Sequence, residues 1–191
     1  MSGLYPAFLK LEGRPVLLVG AGPVAASKLD GLLAAGAKVR VVAPEVRPEI
    51  AGAPVEVAKR AFVPADLEGV YFVISAATPA VNREVREAAE ERALFVNAVD
   101  DVENASLYLG GVLRRGGVTV AVSTDGRAPA LAGLLREALE AVIPEEVETW
   151  VEEASRLRAQ HKADGLPMAA RRPLLLEALN RLYDNRATAP A

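Results

Sequence analysis

The sequence predicts an α/β protein in which a parallel sheet is followed by a small helical region. Two observations support this prediction. Short β-branched runs alternate with helical patterns through about the first hundred residues, and the alternation then gives way to amphipathic helices. Alternating strands and helices are typical of βαβ units, which build parallel sheets. With 191 residues, 51% of them hydrophobic and 25% charged, the chain is large and apolar enough to bury a core.

Five short apolar runs are the predicted strands of this sheet. They are residues 16–19, 38–42, 55–58, 71–75 and 94–99. The first crossover is predicted to be a helix with Leu29, Leu32 and Leu33 on one face, ending at Gly36. A charged helix over residues 82–92 leads into the fifth strand, and its charges indicate a solvent-exposed face.

Beyond residue 101 the pattern changes. Residues 106–113 and 118–123 are predicted to form an antiparallel pair around the turn 114–117, where glycines supply positive φ. An amphipathic helix follows at about 129–142, and Pro144 prevents its continuation. Two shorter helical patterns, 147–157 and 174–183, predict a small helical appendage.

The composition excludes several functional classes. Twenty-two Lys and Arg against twenty-five Asp and Glu give a net charge of −3, so no nucleic-acid partner is expected. The chain has no cysteine and one histidine, His161, which excludes thiolate nucleophiles, iron–sulfur clusters, cysteine zinc sites and histidine clusters. No protein-held metal site is expected, and redox chemistry requires a bound organic cofactor. His161 itself is expected to be a helix cap or exposed.

No membrane association is predicted. The first ten residues lack a basic region followed by an apolar one, and no run of about 18 apolar residues occurs. We therefore expect a cytoplasmic protein.

The glycine pattern after the first strand predicts a dinucleotide site. Residues 20–25 read Gly-Ala-Gly-Pro-Val-Ala and fit G-x-G-x-x-A at the start of a βαβ unit. Gly20 permits the tight turn, Gly22 lets backbone N–H groups approach a pyrophosphate, and Ala25 keeps the helix close to the sheet. Pro23 suits the first helical turn, and Val24 completes the expected NAD-binding segment. The alternative is a tight turn without a ligand.

The acidic residue that usually binds the ribose comes slightly late in this sequence. The second strand ends at Val42, and the first carboxylate after it is Glu45. Glu45 is therefore a candidate ribose ligand, with a solvated loop residue as the alternative. Arg47 is a cation that could bind a 2′-phosphate, so NADP remains an alternative cofactor.

Two later strand ends carry further polar candidates. Ligands of open α/β sheets bind at the carboxyl ends of the strands, where Thr78 and Asn97 are candidate cofactor contacts. Asp100 lies at the end of the fifth predicted strand, three residues after Asn97. A carboxylate there is placed to accept a proton as a hydride leaves to the cofactor, and the alternative is a cap of the next turn.

Four segments together resemble the siroheme synthase N-terminal family. They are residues 20–25 with Lys28, 73–78, 97–100 and 120–132, and the likeness runs in order from about Tyr5 to Tyr183. Members of this family are precorrin-2 dehydrogenases, and some are also sirohydrochlorin ferrochelatases.

The resemblance implies a fold, an activity and a site. It implies an NAD-binding Rossmann domain over residues 1–112, a dimerisation segment over 113–144 and a small helical domain over 145–191. The implied activity is NAD-dependent oxidation of precorrin-2 to sirohydrochlorin by a homodimer, with ferrous iron insertion as a further activity of some members. The family's active-site aspartate corresponds to Asp100.

The implied substrate is a tetrapyrrole with many carboxylates, so a chain of net charge −3 must supply cations locally. The candidates are Arg114, Arg115 and Arg127, each of which is alternatively an exposed surface charge.

The chain departs from the family pattern at two places. Ala128 stands where the family often has a serine, which removes a hydroxyl near the expected substrate. Pro79 and Ala80 stand where acidic residues often follow the Ala-Ala-Thr segment.

The alternative function from another class is a non-catalytic dinucleotide-sensing module. A short-chain reductase is disfavoured because no Tyr-x-x-x-Lys pair occurs.

Overall fold

The computed structural model describes residues 3–187, and the chain divides into two compact units. The first unit consists of Met1–Leu109 together with Asp125–Arg127, and the second consists of Gly110–Thr124 and Ala128–Ala191. The finer three-domain division stays a prediction. Among the described residues, no helix has the length and apolar character needed to cross a membrane.

The first unit is an α/β sheet protein, as the sequence predicts. Its strands are β1 (Pro15–Val19), β2 (Lys38–Val42), β3 (Glu56–Ala58), β4 (Phe72–Ser75) and β5 (Val96–Ala98). Its helices are α1 (Pro23–Ala34), α2 (Pro48–Ala51) and α3 (Pro79–Glu90), with short 3₁₀ turns at Pro64–Leu67 and Val102–Asn104. All five predicted strands are present, with ends shifted by up to two residues.

The strand order is β3-β2-β1-β4-β5, and all neighbours are parallel. The chain leaves β1 towards β2 and β3, and then returns to the other side of β1 to form β4 and β5. The carboxyl ends of β1 and β4 therefore form the switch point at which open α/β sheets bind their ligands. This order confirms the Rossmann-type fold.

Alternate residues of the central strands face opposite sides of the sheet, and both sides are covered. Leu18 and Ile74 pack in one buried cluster with Leu29 of α1. Leu17 and Val73 pack in a second cluster, on which α3 lies. Because both faces are buried, nearly all residues of β1 and β4 are apolar, as is typical of parallel sheets.

The second unit combines an antiparallel pair with three helices. It contains β6 (Gly111–Arg115), β7 (Val118–Val122), α4 (Pro129–Val142), α5 (Val147–Ala163) and α6 (Met168–Ala187). The predicted bounds of α4 are confirmed. The predicted turn over 114–117 was too long, because Arg114 and Arg115 pair with Thr119 and Val118 in the ladder.

Two predictions in the helical region were wrong. The last helix begins at Met168 rather than at residue 174, and Pro173 lies inside it. The proline lacks one backbone donor, and the helix continues through that position. His161 lies in the last turn of α5, as expected, but it is buried at 8% exposure, so the expectation of an exposed position was wrong.

Candidate cofactor and catalytic site

The turn after β1 is built on Gly20, whose φ is +95°. Its N–H donates to the Val42 carbonyl oxygen over 2.9 Å, which holds the turn against the end of β2. A Cβ at this position would overlap the Ala76 carbonyl oxygen and stand 2.8 Å from the Ala76 carbonyl carbon. The turn therefore excludes any side chain for two independent reasons, the sign of φ and the backbone of the β4 loop.

Gly22 has a different environment from Gly20. It is the N-cap of α1 with an extended backbone, and no side chain caps the helix. A Cβ on Gly22 would meet no atom within 4 Å. Pro23 lacks an N–H, and the first bond within the helix runs from Ala26 N to Gly22 O. The N–H groups of Val24 and Ala25 are thus left for a ligand, and the helix dipole favours an anion there.

A cavity of about 390 Å³ adjoins this helix terminus. Its lining residues come from the β1 turn and the segment after β2, and they are Ala21, Gly22, Pro23, Glu45, Val46 and Arg47. Glu45 is exposed, so its carboxylate is accessible to a ribose hydroxyl. The Arg47 N–H donates to the Ala21 carbonyl oxygen over 3.4 Å, which links the two segments.

The Arg47 side chain is engaged by a neighbour. Its guanidinium donates to both carboxylate oxygens of Glu49, at 3.2 and 3.0 Å. The hydrogen bonds that Arg47 donates to Glu49 lower the pKa of Glu49 and raise the pKa of Arg47. A 2′-phosphate would have to compete with Glu49 for this cation.

These residues fit a dinucleotide. Open space at Gly22, unpaired N–H groups at the start of α1 and a carboxylate in the adjoining cavity are what a pyrophosphate and a ribose require. Ala25 is fully buried against the sheet, so α1 starts close to the strands. The structure therefore brings together the predicted residues of the glycine turn and Glu45.

The two later strand ends place Thr78 and Asn97 differently. Thr78 is exposed at the N-cap of α3, and its hydroxyl does not cap that helix, so it remains accessible to a ligand. Asn97 lies within β5 at 7% exposure, and its amide nitrogen donates to the Leu107 carbonyl oxygen over 2.9 Å. This contact gives Asn97 a structural role, and its role in binding the cofactor stays a prediction.

Asp100 follows β5 at the same edge of the sheet. Its φ is +56° and its side chain is exposed. The backbone just before it is held to β4, because Val99 N donates to the Ser75 carbonyl oxygen over 2.9 Å. The Asp100 carboxylate is therefore accessible from solvent at this edge of the sheet, and its role as a base stays a prediction.

The sequence did not indicate a polar cluster beneath this edge. Asn82 is 1% exposed and contacts Ser75, Ala77 and Asp101 through hydrogen bonds. The sequence predicts that α3 exposes its polar face and buries an apolar stripe that includes Val85. Asn82 lies three residues before Val85 and therefore falls on the buried stripe. A polar residue at an apolar position of the stripe was the signal that could have identified it.

The three candidate arginines fall in different environments. Arg115 donates to the Glu140 carbonyl oxygen over 2.9 Å and also to the Ile143 carbonyl oxygen, so it caps the end of α4. Arg114 is exposed on β6 in the same unit. Arg127 belongs to the first unit and lies 3.6 Å from Asp125 with a largely exposed side chain. Substrate binding by the three stays a prediction, and for Arg115 it competes with the helix cap.

Two family models match this chain. One, described as putative NAD(P)-binding, covers residues 7–111, which is more than half of the chain. The other, described as sirohaem biosynthesis protein central, covers residues 115–141.

Relatives and a solved structure agree with these matches. A siroheme synthase 2 of Aeromonas hydrophila is 43% identical over 161 residues, which is 82% of this chain and 34% of the relative. A siroheme synthase of Photorhabdus laumondii is 39% identical over 92% of this chain and 38% of its own length. The chain thus spans about a third of these relatives. The structure of SirC, a precorrin-2 dehydrogenase, is 29% identical with a TM-score of 0.73, over 91% of this chain and 88% of SirC.

Proposed function

Because this chain belongs to the siroheme synthase N-terminal family, we propose that it catalyses the NAD-dependent dehydrogenation of precorrin-2 to sirohydrochlorin. The observation that carries the proposal is the joint placement of a dinucleotide turn and an accessible carboxylate at one edge of the sheet. The likeness to SirC across nearly the whole chain supports the choice of substrate.

The reaction removes a hydride and a proton from the tetrapyrrole, so the site needs an acceptor for each. Bound NAD supplies the hydride acceptor. The N–H groups of Val24 and Ala25 hold the pyrophosphate, and Glu45 accepts a hydrogen bond from a ribose hydroxyl. The exposed hydroxyl of Thr78 is available to orient the cofactor beside β4.

Asp100 accepts the proton in this proposal. Its carboxylate makes no hydrogen bond or ion pair with the described part of the chain, so its oxygens remain available to the substrate. A base must lie within hydrogen-bond reach of the proton that it removes. The carboxyl end of β5, next to the switch point, provides such a position.

Substrate carboxylates require cations, and Arg114 and Arg127 are the exposed candidates. Ala128 presents no hydroxyl to the substrate. We assign Arg115 a secondary role because its guanidinium already binds carbonyl oxygens at the end of α4.

We further propose that the protein acts as a homodimer through residues 113–144. Five large apolar side chains on α4 are at least 36% exposed, and they are Leu131, Leu134, Leu135, Leu139 and Val142. Their i, i+3, i+4, i+8 and i+11 spacing places them on one stripe, which the described part of the chain leaves partly or largely exposed. Contiguous exposed apolar surface of this kind favours contact with a second copy. A cytoplasmic location stays a prediction from the sequence.

Iron insertion is the further activity of some family members. Among residues 3–187 no group of three or more His, Asp or Glu side chains is arranged to hold a metal ion. If iron were inserted, the nitrogens of the macrocycle could supply its ligands. We propose dehydrogenation alone as the activity of this chain.

The test is an assay with enzymatically made precorrin-2. Purified protein is incubated with precorrin-2 and NAD, and sirohydrochlorin and NADH are followed by absorbance. We expect both products to appear in equal amounts, and to be lost when NAD is omitted. A folded protein that binds NAD without forming sirohydrochlorin would instead support the alternative, a dinucleotide-sensing module.

A further inference from the structure

Two successive aspartates after β5 have opposite environments. Asp100 is exposed, whereas Asp101 is half-buried and accepts three hydrogen bonds. Asn82 Nδ2 donates to Asp101 Oδ2 over 3.1 Å, and Asn104 Nδ2 donates to Asp101 Oδ1 and Oδ2 over 3.0 and 2.9 Å. The chain thus anchors the second carboxylate and leaves the first accessible.

Asn82 connects this anchor to the neighbouring strand end. Its Oδ1 accepts hydrogen bonds from Ser75 Oγ at 2.7 Å and from Ala77 N at 3.3 Å. The Ala77 N–H is a donor, so the amide oxygen must face it and the amide nitrogen must face the Asp101 carboxylate. One buried side chain therefore joins the β4 loop, which carries Thr78, to the β5 loop, which carries Asp100.

The Asp100 backbone requires such support. Its φ of +56° lies in the left-handed region, which non-glycine residues adopt at a cost and keep only where their surroundings hold them. Hydrogen bonds from Asn104 and Asn82 keep the pKa of Asp101 below its usual value, so its carboxylate stays ionised near neutral pH. Hydrogen bonds to an ionised acceptor are stronger than those between neutral groups.

We propose that Asn82 and Asp101 are positioning residues that hold the Asp100 turn against the β4 loop and so direct the Asp100 carboxylate at the substrate. This inference rests on the proposed function, because it gives Asp100 the role of proton acceptor. Neither residue touches the reacting atoms in this scheme. Both act through the backbone on which Asp100 is carried.

A double-mutant cycle tests this role. Asp101→Ala is expected to lower kcat about 10- to 100-fold, the effect of a misdirected catalytic group, with NAD affinity by calorimetry changed less than about twofold. In an Asp100→Asn background the same substitution is expected to cause no further loss of kcat, because the group that it positions is already absent. An equal loss of kcat in both backgrounds would overturn the proposal.

Matched variants separate positioning from general damage. Glu103→Gln removes one charge from the same turn without touching the network, and it is expected to retain wild-type kcat. Asp101→Asn keeps the size of the side chain and one acceptor oxygen, so it is expected to fall between the wild type and Asp101→Ala. Wild-type kcat in both Asp101 variants would contradict the proposal.

A second readout is independent of the substrate. Hydrogen-exchange mass spectrometry of the peptides that cover residues 76–79 and 98–106 reports whether the network holds the two loops. Asp101→Ala is expected to speed exchange in both peptides, and Glu103→Gln in neither. Unchanged exchange in the Asp101→Ala variant would contradict the positioning role, whether or not the protein oxidises precorrin-2. Faster exchange in both peptides of a protein that does not oxidise precorrin-2 would contradict only the proposed function.

Discussion

The backbone of Gly20 lies against Ala76, so a Cβ on Gly20 would overlap the Ala76 carbonyl oxygen. This approach joins the turn after β1 to the loop after β4 at the switch point of the sheet. Gly22, two residues later, faces open space. The two glycines of the motif therefore differ in their surroundings, because the first has no space for a side chain and the second does.

Gly20→Ala is expected to destabilise the fold by about 2 kcal/mol or more, because both a strained φ and an overpacked contact result. Urea denaturation followed by circular dichroism measures the change in the free energy of unfolding. Gly22→Ala is the matched control and is expected to unfold within about 0.5 kcal/mol of the wild type. Equal stabilities of the two variants would show that the contact with Ala76 does not constrain the turn.

Gly22→Asp is expected to abolish NAD binding while the protein stays folded. The new side chain fills the space in front of Val24 and Ala25, and its charge repels the pyrophosphate. Calorimetric titration with NAD checks the affinity, and thermal denaturation checks the fold. Undiminished affinity in a folded variant would remove the glycine turn as the cofactor site.

Glu49→Gln is expected to raise kcat/KM for NADP by roughly two- to fivefold relative to NAD, because it releases the Arg47 guanidinium next to the cavity. Steady-state rates with each cofactor measure the preference. Glu68→Gln, at an exposed position outside the cavity lining, serves as the control and should leave the ratio unchanged. A ratio that does not move in Glu49→Gln would mean that Arg47 does not approach the 2′-position.

Leu134→Asp is expected to shift the protein from dimer to monomer. Leu134 is 64% exposed on the apolar stripe of α4, and a carboxylate there would be desolvated in the contact with a second copy. Sedimentation velocity over a range of concentrations measures the association. Leu176→Asp, at 61% exposure on α6, is the comparison variant and should remain dimeric. Sedimentation of the wild-type protein as a monomer would contradict the proposed homodimer.

The local elements of the fold could be predicted because their signals are local. Lys38–Val42 and Pro129–Val142 agree with the predicted bounds, since hydrophobic spacing and proline mark them. The predicted hairpin turn over residues 114–117 was two residues too long. Gly116 and Gly117 both have positive φ, and a two-residue turn of this kind lets the preceding arginines pair in the strand.

The candidate site was predictable only in part. The glycine turn and Asp100 follow from their positions after strands, which sequence patterns reveal. The Asn82–Asp101 contact joins residues 19 apart through the interior, and no periodicity specifies such a pair. Arg115 was assigned to the substrate because its charge is evident from the sequence, whereas its contact with the carbonyl oxygens of α4 depends on tertiary packing.

Oxidation of precorrin-2 by Asp100→Asn, measured together with NAD affinity, decides whether this carboxylate is the proton acceptor. The amide keeps the shape of the side chain and removes its basicity. We predict that kcat falls by roughly 10²–10⁴-fold while calorimetry gives an NAD affinity close to that of the wild type. Full turnover in the variant would contradict this assignment and leave Asp100 as a structural residue of the β5 turn.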